Sequence, residues 1–218
     1  MRYEYKYEIP LGMEKTISIF LKSNGCKDIY AQRRVNSLYY DTVNYSIFYD
    51  SQNGLAQRNK IRARFYNSGD SGFKLECKHK NDLLNRKSFI HLDSQLLGDL
   101  VPIIYSERES GSPDLALPSK VLQIYKPKVL VGYTRNYILT YDGKVRFTID
   151  TDLIFRRALL SNKKIKLDQP RYTQKSILEL KYDEANKPNS FLLDKLCSKY
   201  NLNITRSSKY CHAISLLF

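Results

Sequence analysis

The sequence predicts an α+β protein built on antiparallel strands. Three observations predict it. Six or seven segments alternate a charged or polar residue with an apolar one, the two-residue period of half-buried strands. Turn signatures separate neighbouring segments, Asn67-Ser68-Gly69-Asp70-Ser71-Gly72 and Asp142-Gly143. Residues 11–24 and 188–200 carry the helical stripe instead.

Residues 2–9 set Tyr3, Tyr5 and Tyr7 against Glu4, Lys6 and Glu8, a first strand that Pro10 ends. In residues 11–24, Met13, Ile17, Phe20 and Leu21 form an apolar stripe, stopped by Asn24-Gly25 and read as core packing. Arg33 to Asp41 is a second strand, and Asp41-Thr42 suit the cap of a short segment over Val43 to Tyr49. Tyr39 and Tyr40 are read as core or rim packing. Asn53-Gly54 marks a turn.

The next strand is the unusual one. Lys60, Arg62, Arg64 and Tyr66 share one face, and Ile61, Ala63 and Phe65 take the other. Same-face cations on neighbouring positions repel unless something negative lies among them. The following strand repeats the device, with Lys74, Glu76, Lys78 and Lys80 against Phe73, Leu75, Cys77 and His79. Such a pair of strands lines an anion site or is a solvated sheet face. Glu76, flanked by lysines, reads as an ion-pair spacer, and His79, on the apolar face, as structural.

Residues 81–92 include Arg86, Lys87, Phe89 and His91 and form another strand. Residues 93–128, with four prolines (Pro102, Pro113, Pro118 and Pro127), predict one or two short helices and a mobile loop near Ser106 to Pro118. Lys128 to Tyr141 puts Tyr133, Arg135 and Tyr137 on one face. Residues 144–150 set Lys144, Arg146, Thr148 and Asp150 against Val145, Phe147 and Ile149. Asp150 reads as a metal-site helper or as a strand-end partner of Arg146. Residues 161–175 read as a basic loop holding Lys163, Lys164, Lys166 and Arg171. Residues 176–182 set Glu179 and Lys181 against Leu178, Leu180 and Tyr182. Pro188 opens a helix through Tyr200, with Phe191, Leu192 and Leu196 apolar. Ser207, Ser208, Lys209 and Tyr210 precede an apolar tail.

A flat sheet with one wet face satisfies this pattern. A closed barrel with its charges inward does too, and about eight strands can hold one ligand. Inward cations are costly unless paired or filled by something strongly anionic.

The chain has 218 residues and is read as a single domain over 1–218, because the strand pattern resumes in the same style after residue 128. Its formal net charge of +14 implies a polyanionic partner. No apolar run approaches the length of a membrane helix, and the N-terminus lacks a signal peptide's apolar core, so a cytoplasmic location is expected. Cys26, Cys77, Cys197 and Cys211 form no C-x-x-C pair and read as reduced, mostly buried thiols. His79, His91 and His212 lack metal-ligand spacing. Neither a P-loop nor a G-x-G-x-x-G signature occurs, so bound phosphate must be gripped by side-chain cations.

Read together, Lys6, Ser37-Leu38-Tyr39-Tyr40-Asp41-Thr42, Lys60-x-Arg62-x-Arg64-x-Tyr66, Leu75-Glu76-x-Lys78, Tyr133-x-Arg135, Arg146-x-x-Ile149-Asp150, Leu178-Glu179-x-Lys181-Tyr182 and Ser208-Lys209-Tyr210 are specific. This ordered set, over roughly residues 2–215, resembles the VTC domain. That is the polyphosphate polymerase branch of the triphosphate tunnel metalloenzyme, or CYTH-like, superfamily. The resemblance implies an antiparallel closed β-barrel of about eight strands, the triphosphate tunnel, with flanking helices. It also implies transfer of the γ-phosphate of ATP onto a growing polyphosphate chain, with Mn²⁺ or Mg²⁺. Arg62, Arg64, Arg135, Arg146 and Lys209 resemble the catalytic cations. Lys6, Lys78, Lys87 and Lys181 resemble substrate-binding cations, and Tyr133 and Ser208 polar phosphate contacts. Glu179 resembles the metal-binding carboxylate; for Lys87, Lys80 and Arg86 are close rivals.

Partners implied are ATP and polyphosphate, with no specific nucleic acid. Yeast-type members join this domain to a phosphate-sensing domain and membrane helices; neither is expected in this sequence, and a separate membrane-protein partner and the oligomeric state stay open. Hydrolytic relatives carry a Glu-x-Glu-x-Lys first strand, whereas here it reads Glu4-x-Lys6-x-Glu8. A metal-dependent polyphosphate kinase-type phosphotransferase is therefore expected over an inorganic or nucleoside triphosphatase of the same fold. The rival from another class is a non-catalytic module binding polyphosphate or nucleic acid through an exposed basic surface with aromatics for stacking.

Overall fold

The computed structural model describes residues 2–67, 73–81, 84–92, 124–161, 164–184 and 190–218. Its elements begin with β1 (Arg2–Pro10), α1 (Met13–Ser23), β2 (Cys26–Asp41), α2 (Ser46–Gln52), β3 (Arg58–Tyr66), β4 (Phe73–Asn81) and β5 (Leu84–Leu92). There follow β6 (Lys126–Thr140), β7 (Val145–Ser161), β8 (Lys164–Leu167), β9 (Arg171–Tyr172), β10 (Lys175–Asp183), α3 (Ser190–Tyr200) and α4 (Lys209–Leu217).

Hydrogen-bonded neighbours run β1-β10-β7-β6-β2-β3-β4-β5, with β8 and β9 both paired to β7. The pairs β1–β10, β10–β7, β2–β3, β3–β4, β4–β5 and β7–β8 are antiparallel. Among the described residues this ladder does not return from β5 to β1, so the sheet is not closed by hydrogen bonds there.

The chain divides into two compact units: Met1–Arg34, Tyr133–Ile154 and Tyr172–Ser208, then Val35–Gly132, Phe155–Arg171 and Lys209–Phe218. In the first unit, alternation on β1, β7 and β10 sends Ile9, Phe147, Ile149, Leu178 and Leu180 into one buried cluster. The α1 stripe adds Ile17, Phe20 and Leu21 to it, and α3 adds Leu196. Each such burial is worth about 1.5–3 kcal/mol. The β6–β7 turn is the Asp142-Gly143 hairpin signal, with Gly143 at φ 74° and its N–H bonded to Thr140 O at 2.9 Å.

In the second unit, Ile61, Ala63, Leu75 and Cys77 are buried on one face of β3 and β4. Asp41 caps α2: its carboxylate accepts the N–H groups of Ile47 at 2.9 Å and Phe48 at 3.0 Å, while Thr42 Oγ1 accepts that of Ser46 at 3.0 Å. The helix packs against β3 and α4.

Some expectations change. β2 starts at Cys26, not Arg33; between Lys27 and Arg34 no residue is buried, so that half shows no alternation of buried and exposed positions. Two short strands, β8 and β9, pair with β7 where a basic loop was expected. The apolar C-terminal tail is a helix, burying Tyr210, Cys211, Ala213 and Ile214. His79 is exposed near the end of β4, its Nδ1 2.6 Å from Asn59 Oδ1, rather than packed in a core. None of the four cysteines is in a disulfide; Cys26, Cys77 and Cys211 are buried and Cys197 half-buried. The loop expected near Ser106 to Pro118, Lys163 and Pro188 lie outside the described residues, as do residues 93–123 of the stretch 93–128 in which one or two short helices are expected. Among the described residues no helix is long and apolar enough to cross a membrane.

Candidate functional site

In the first unit, strand register sets the polar face. Glu4 of β1 stands opposite Lys181 of β10, and Lys181 opposite Arg146 of β7. One step along, Lys6 stands opposite Glu179, and Glu179 opposite Thr148. Same-face residues on paired strands lie about 4.5–5.5 Å apart at Cβ, within ion-pair reach. Glu4 accordingly bridges Lys6 at 3.1 Å and Lys181 at 3.1 Å. Lys181 also pairs with Glu179. Lys6 Nζ donates to Ser207 O at 3.2 Å. The segment carrying Ser207 is tied to β1 by the Tyr7–Ile204 bridge and by Thr205 N–H on Lys6 O at 2.8 Å.

Arg135 of β6 grips Asp150 of β7 and lies with its guanidinium 5.1 Å from the Tyr133 ring centroid. Asp150 is thus the partner of Arg135 and not of Arg146, because register sets Arg146 against Lys181. Buried Nε of Arg146 and Oγ1 of Thr148 have no hydrogen-bond partner among the described residues.

Electrostatics follow the geometry. Burial opposes ionisation of Glu4, but Lys6 and Lys181 outweigh it and bring its carboxyl down to about 2. Burial likewise opposes the charge of Glu179; Lys181 chiefly overcomes this, with Lys6 and Arg135 adding and Glu4 subtracting, so its carboxyl lies below the ordinary range. Both carboxylates are ionised at neutral pH.

In the second unit, Tyr39 stands opposite Arg62, and Arg62 opposite Glu76; Ser37 stands opposite Arg64, and Arg64 opposite Lys74. Arg62 Nε donates to Glu76 Oε2 at 2.7 Å, and its Nη2 lies 2.5 Å from the same oxygen. Arg64 Nε donates to Ser37 Oγ at 3.2 Å. Glu76, 5% exposed, therefore forms a cross-strand ion pair with Arg62. Lys60 stands opposite Lys78, and Lys78 opposite Lys87. Of the rivals for that place, Arg86 stands opposite His79, on the other parity, while Lys80 stands opposite Asn85, on the parity of Lys78. Tyr210 of α4 donates its hydroxyl to Asp41 and stacks on Tyr39 at 5.3 Å.

The first unit thus brings together Lys6, Arg135, Glu179 and Lys181, with Tyr133 on Arg135 and Arg146 opposite Lys181 in register. It also contains Ser208. The second holds Arg62, Arg64, Lys78, Lys209 and the backbone of Lys87. Sequence reasoning missed Ser37 and the hydroxyl of Tyr39, though Ser37, Tyr39 and Asp41 alternate along one face of β2.

Among the described residues, the ionised Glu179 is a candidate ligand for a divalent cation, with Glu4 next to it in the same network. Among the described residues no three acidic, histidine or cysteine side chains come together to cage an ion. Mg²⁺ and Mn²⁺ fit this donor set, because they take one or two carboxylates and complete their shell with substrate phosphates and water.

The fold matches solved structures at low identity. A candidate adenylyl cyclase from Hippeastrum, described as having a dominant triphosphatase activity, is 12% identical with TM-score 0.62, covering 100% of this chain and 97% of that one. A candidate adenylate cyclase from Vibrio parahaemolyticus is 11% identical with TM-score 0.52, covering 98% and 97%. A protein from Pyrococcus horikoshii is 12% identical with TM-score 0.53, covering 98% and 99%. These likenesses are of fold, that of the triphosphate tunnel proteins. No curated protein matches the sequence. The model of the VTC domain matches residues 1–218. The chain therefore belongs to the VTC domain family.

Proposed function

We propose that this chain is a polyphosphate polymerase, moving the γ-phosphate of ATP onto a growing polyphosphate chain. Family membership supports a role in handling triphosphate or polyphosphate. The observation that carries the finer reading is the engagement of buried acids by arginines, Glu76 on Arg62 and Asp150 on Arg135. A hydrolase must place and activate water, usually through carboxylates. Among the described residues, two of the four buried acids orient cations, and a third, Asp41, caps a helix. Lys6 stands opposite Glu179, where hydrolytic relatives carry a second glutamate.

Phosphoryl transfer needs positioning and charge neutralisation more than covalent help. Arg62, Arg64, Arg135 and Arg146 offer planar forks that grip paired phosphate oxygens. Lys6, Lys78, Lys87, Lys181 and Lys209 add compact charge that draws an acceptor phosphate toward the donor. Tyr133 and Ser208 contribute polar contacts. Glu179 would hold Mn²⁺ or Mg²⁺ together with substrate phosphates. Bound there, the ion neutralises phosphate charge and polarises the transferring group.

The test is product formation. Purified protein is incubated with ATP and Mn²⁺ and the products are run on a gel. Long-chain polyphosphate is the expected result. ATP falling only to ADP and free phosphate favours the triphosphatase. No turnover, with salt-sensitive RNA binding, favours the binding module.

A further inference from the structure

Tyr39 and Tyr40 are adjacent on β2 and point to opposite faces. Both are buried, at 7% and 2% exposure. Their surroundings differ in kind. The Tyr40 hydroxyl has no hydrogen-bond partner among the described residues, and burial alone pushes its ionisation up. The Tyr39 hydroxyl instead accepts from Arg62 Nη1 at 3.4 Å. Its own proton is directed to no acceptor among the described residues. Its ring is held by the stack on Tyr210, whose hydroxyl is fixed on Asp41. A rigid phenol therefore offers an unused O–H donor among Arg62, Arg64 and Lys209. A buried donor without an acceptor costs about 1–3 kcal/mol, and an anion drawn to these cations would supply one.

We propose that the Tyr39 hydroxyl is a phosphate-contacting group of the second unit's cation cluster, donating its proton to an oxygen of the bound polyanion. The proposal rests on reading that cluster as an anion site and not on the transfer reaction. The charged and titratable groups around Tyr39 are Arg62 and Arg64 on β3, Glu76 on β4 (held by Arg62), Lys209 and Tyr210 on α4, and Asp41 on its own strand (held by Tyr210). Burial works against ionisation of the phenol. Arg62, Arg64 and Lys209 outweigh it and bring the hydroxyl down to about 8. A phosphate that neutralises those cations and accepts the phenol proton must raise that value again. Above pH 8 or so, binding therefore takes up one proton at Tyr39.

The experiment uses the full chain, tripolyphosphate and a chelator. Calorimetry at about pH 7 is expected to show binding about tenfold weaker in Tyr39→Phe, the loss of one hydrogen bond to a charged acceptor. The wild-type affinity falls between about pH 7 and 9, and the variant's falls less. Tyrosinate absorbance is the second readout. A titration near pH 8, absent in Tyr39→Phe, moves to higher pH when tripolyphosphate is added. Should the variant fail to fold, that shift in the wild type decides alone. Equal affinities at pH 7, or a titration that tripolyphosphate leaves in place, overturns the proposal. Polymer formed from ATP despite that failure leaves the polymerase reading intact. A Tyr39 shift without polymer removes the polymerase reading alone.

Discussion

Arg135 holds Asp150 with two parallel bonds, Nε to Oδ1 at 2.5 Å and Nη2 to Oδ2 at 2.7 Å. Asp150 is 0% exposed. Burial opposes the charge on Arg135, but Asp150 more than offsets this and raises the guanidinium above its ordinary range. The carboxylate thus fixes the plane of a fork whose remaining N–H donors are directed without further loss of side-chain freedom.

Breaking that pair is predicted to destabilise the first unit. Asp150→Asn leaves a largely buried guanidinium without its counter-charge, which costs about 3–5 kcal/mol. Urea unfolding measures it. Replacing both partners by apolar residues of similar volume should restore most of the loss while weakening tripolyphosphate binding. A cost below about 1 kcal/mol for Asp150→Asn would mean that water already reaches the pair.

Glu76 and Glu179 are both buried glutamates beside cations, yet they should behave differently. Glu179→Gln is predicted to raise the Mn²⁺ concentration needed for half-maximal turnover about tenfold or more, with tripolyphosphate affinity in chelator largely kept. Glu76→Gln should leave that Mn²⁺ midpoint in place and act on Arg62 instead. A metal titration of both variants separates the roles. Equal shifts would assign both carboxylates to the metal.

The cation faces were legible because alternation alone decides which residues share a face. Arg62 and Arg64 needed only the two-residue period of β3, and the VTC motifs followed from their order. Pairing was not legible, because register is set by turns and by the packing of distant strands. Glu76 sits between two lysines in sequence, yet its partner is Arg62, across β3–β4. By sequence alone Asp150 suits Arg146, four residues away, yet Arg135 on β6 takes it. The first half of β2 gave no signal, since no residue from Lys27 to Gln32 is buried and its apolar members, Ile29, Tyr30 and Ala31, are consecutive instead of alternating. α4 was hidden for the opposite reason: a short apolar stretch fits helix or tail until its burial is known.

Asp41 joins three segments of the second unit, accepting from α2 backbone N–H groups and from the Tyr210 hydroxyl while remaining 0% exposed. Burial and this bond push the Tyr210 phenol well above its ordinary range. Asp41→Ala removes the cap and strands several buried donors. The expected loss is about 2–4 kcal/mol, combining a missing cap with unsatisfied groups. Tyr210→Phe should cost less, about 1–2 kcal/mol, because the α2 cap survives. Thermal melts of both variants test the ranking; a larger loss in Tyr210→Phe would contradict it.

The Glu4 network sets a pH dependence whose sign can be worked out. The folded carboxyl lies at about 2, below its ordinary 4.5, since Lys6 and Lys181 together overcome burial. The unfolded chain therefore takes up its proton first as acid is added, and unfolding is favoured. Stability from this network is complete above pH 4.5 and is lost as the pH falls toward 2. Glu4→Gln, which cannot titrate, should be less stable than wild type at about pH 6 and should converge with it near the acid end. Glu4 is a third exposed, so salt near 0.5 M should narrow the gap at neutral pH. Denaturant midpoints across that range measure both effects. Curves that stay parallel from pH 6 to pH 2 would show that Lys6 and Lys181 are held by Glu179 and the Ser207 carbonyl without help from Glu4.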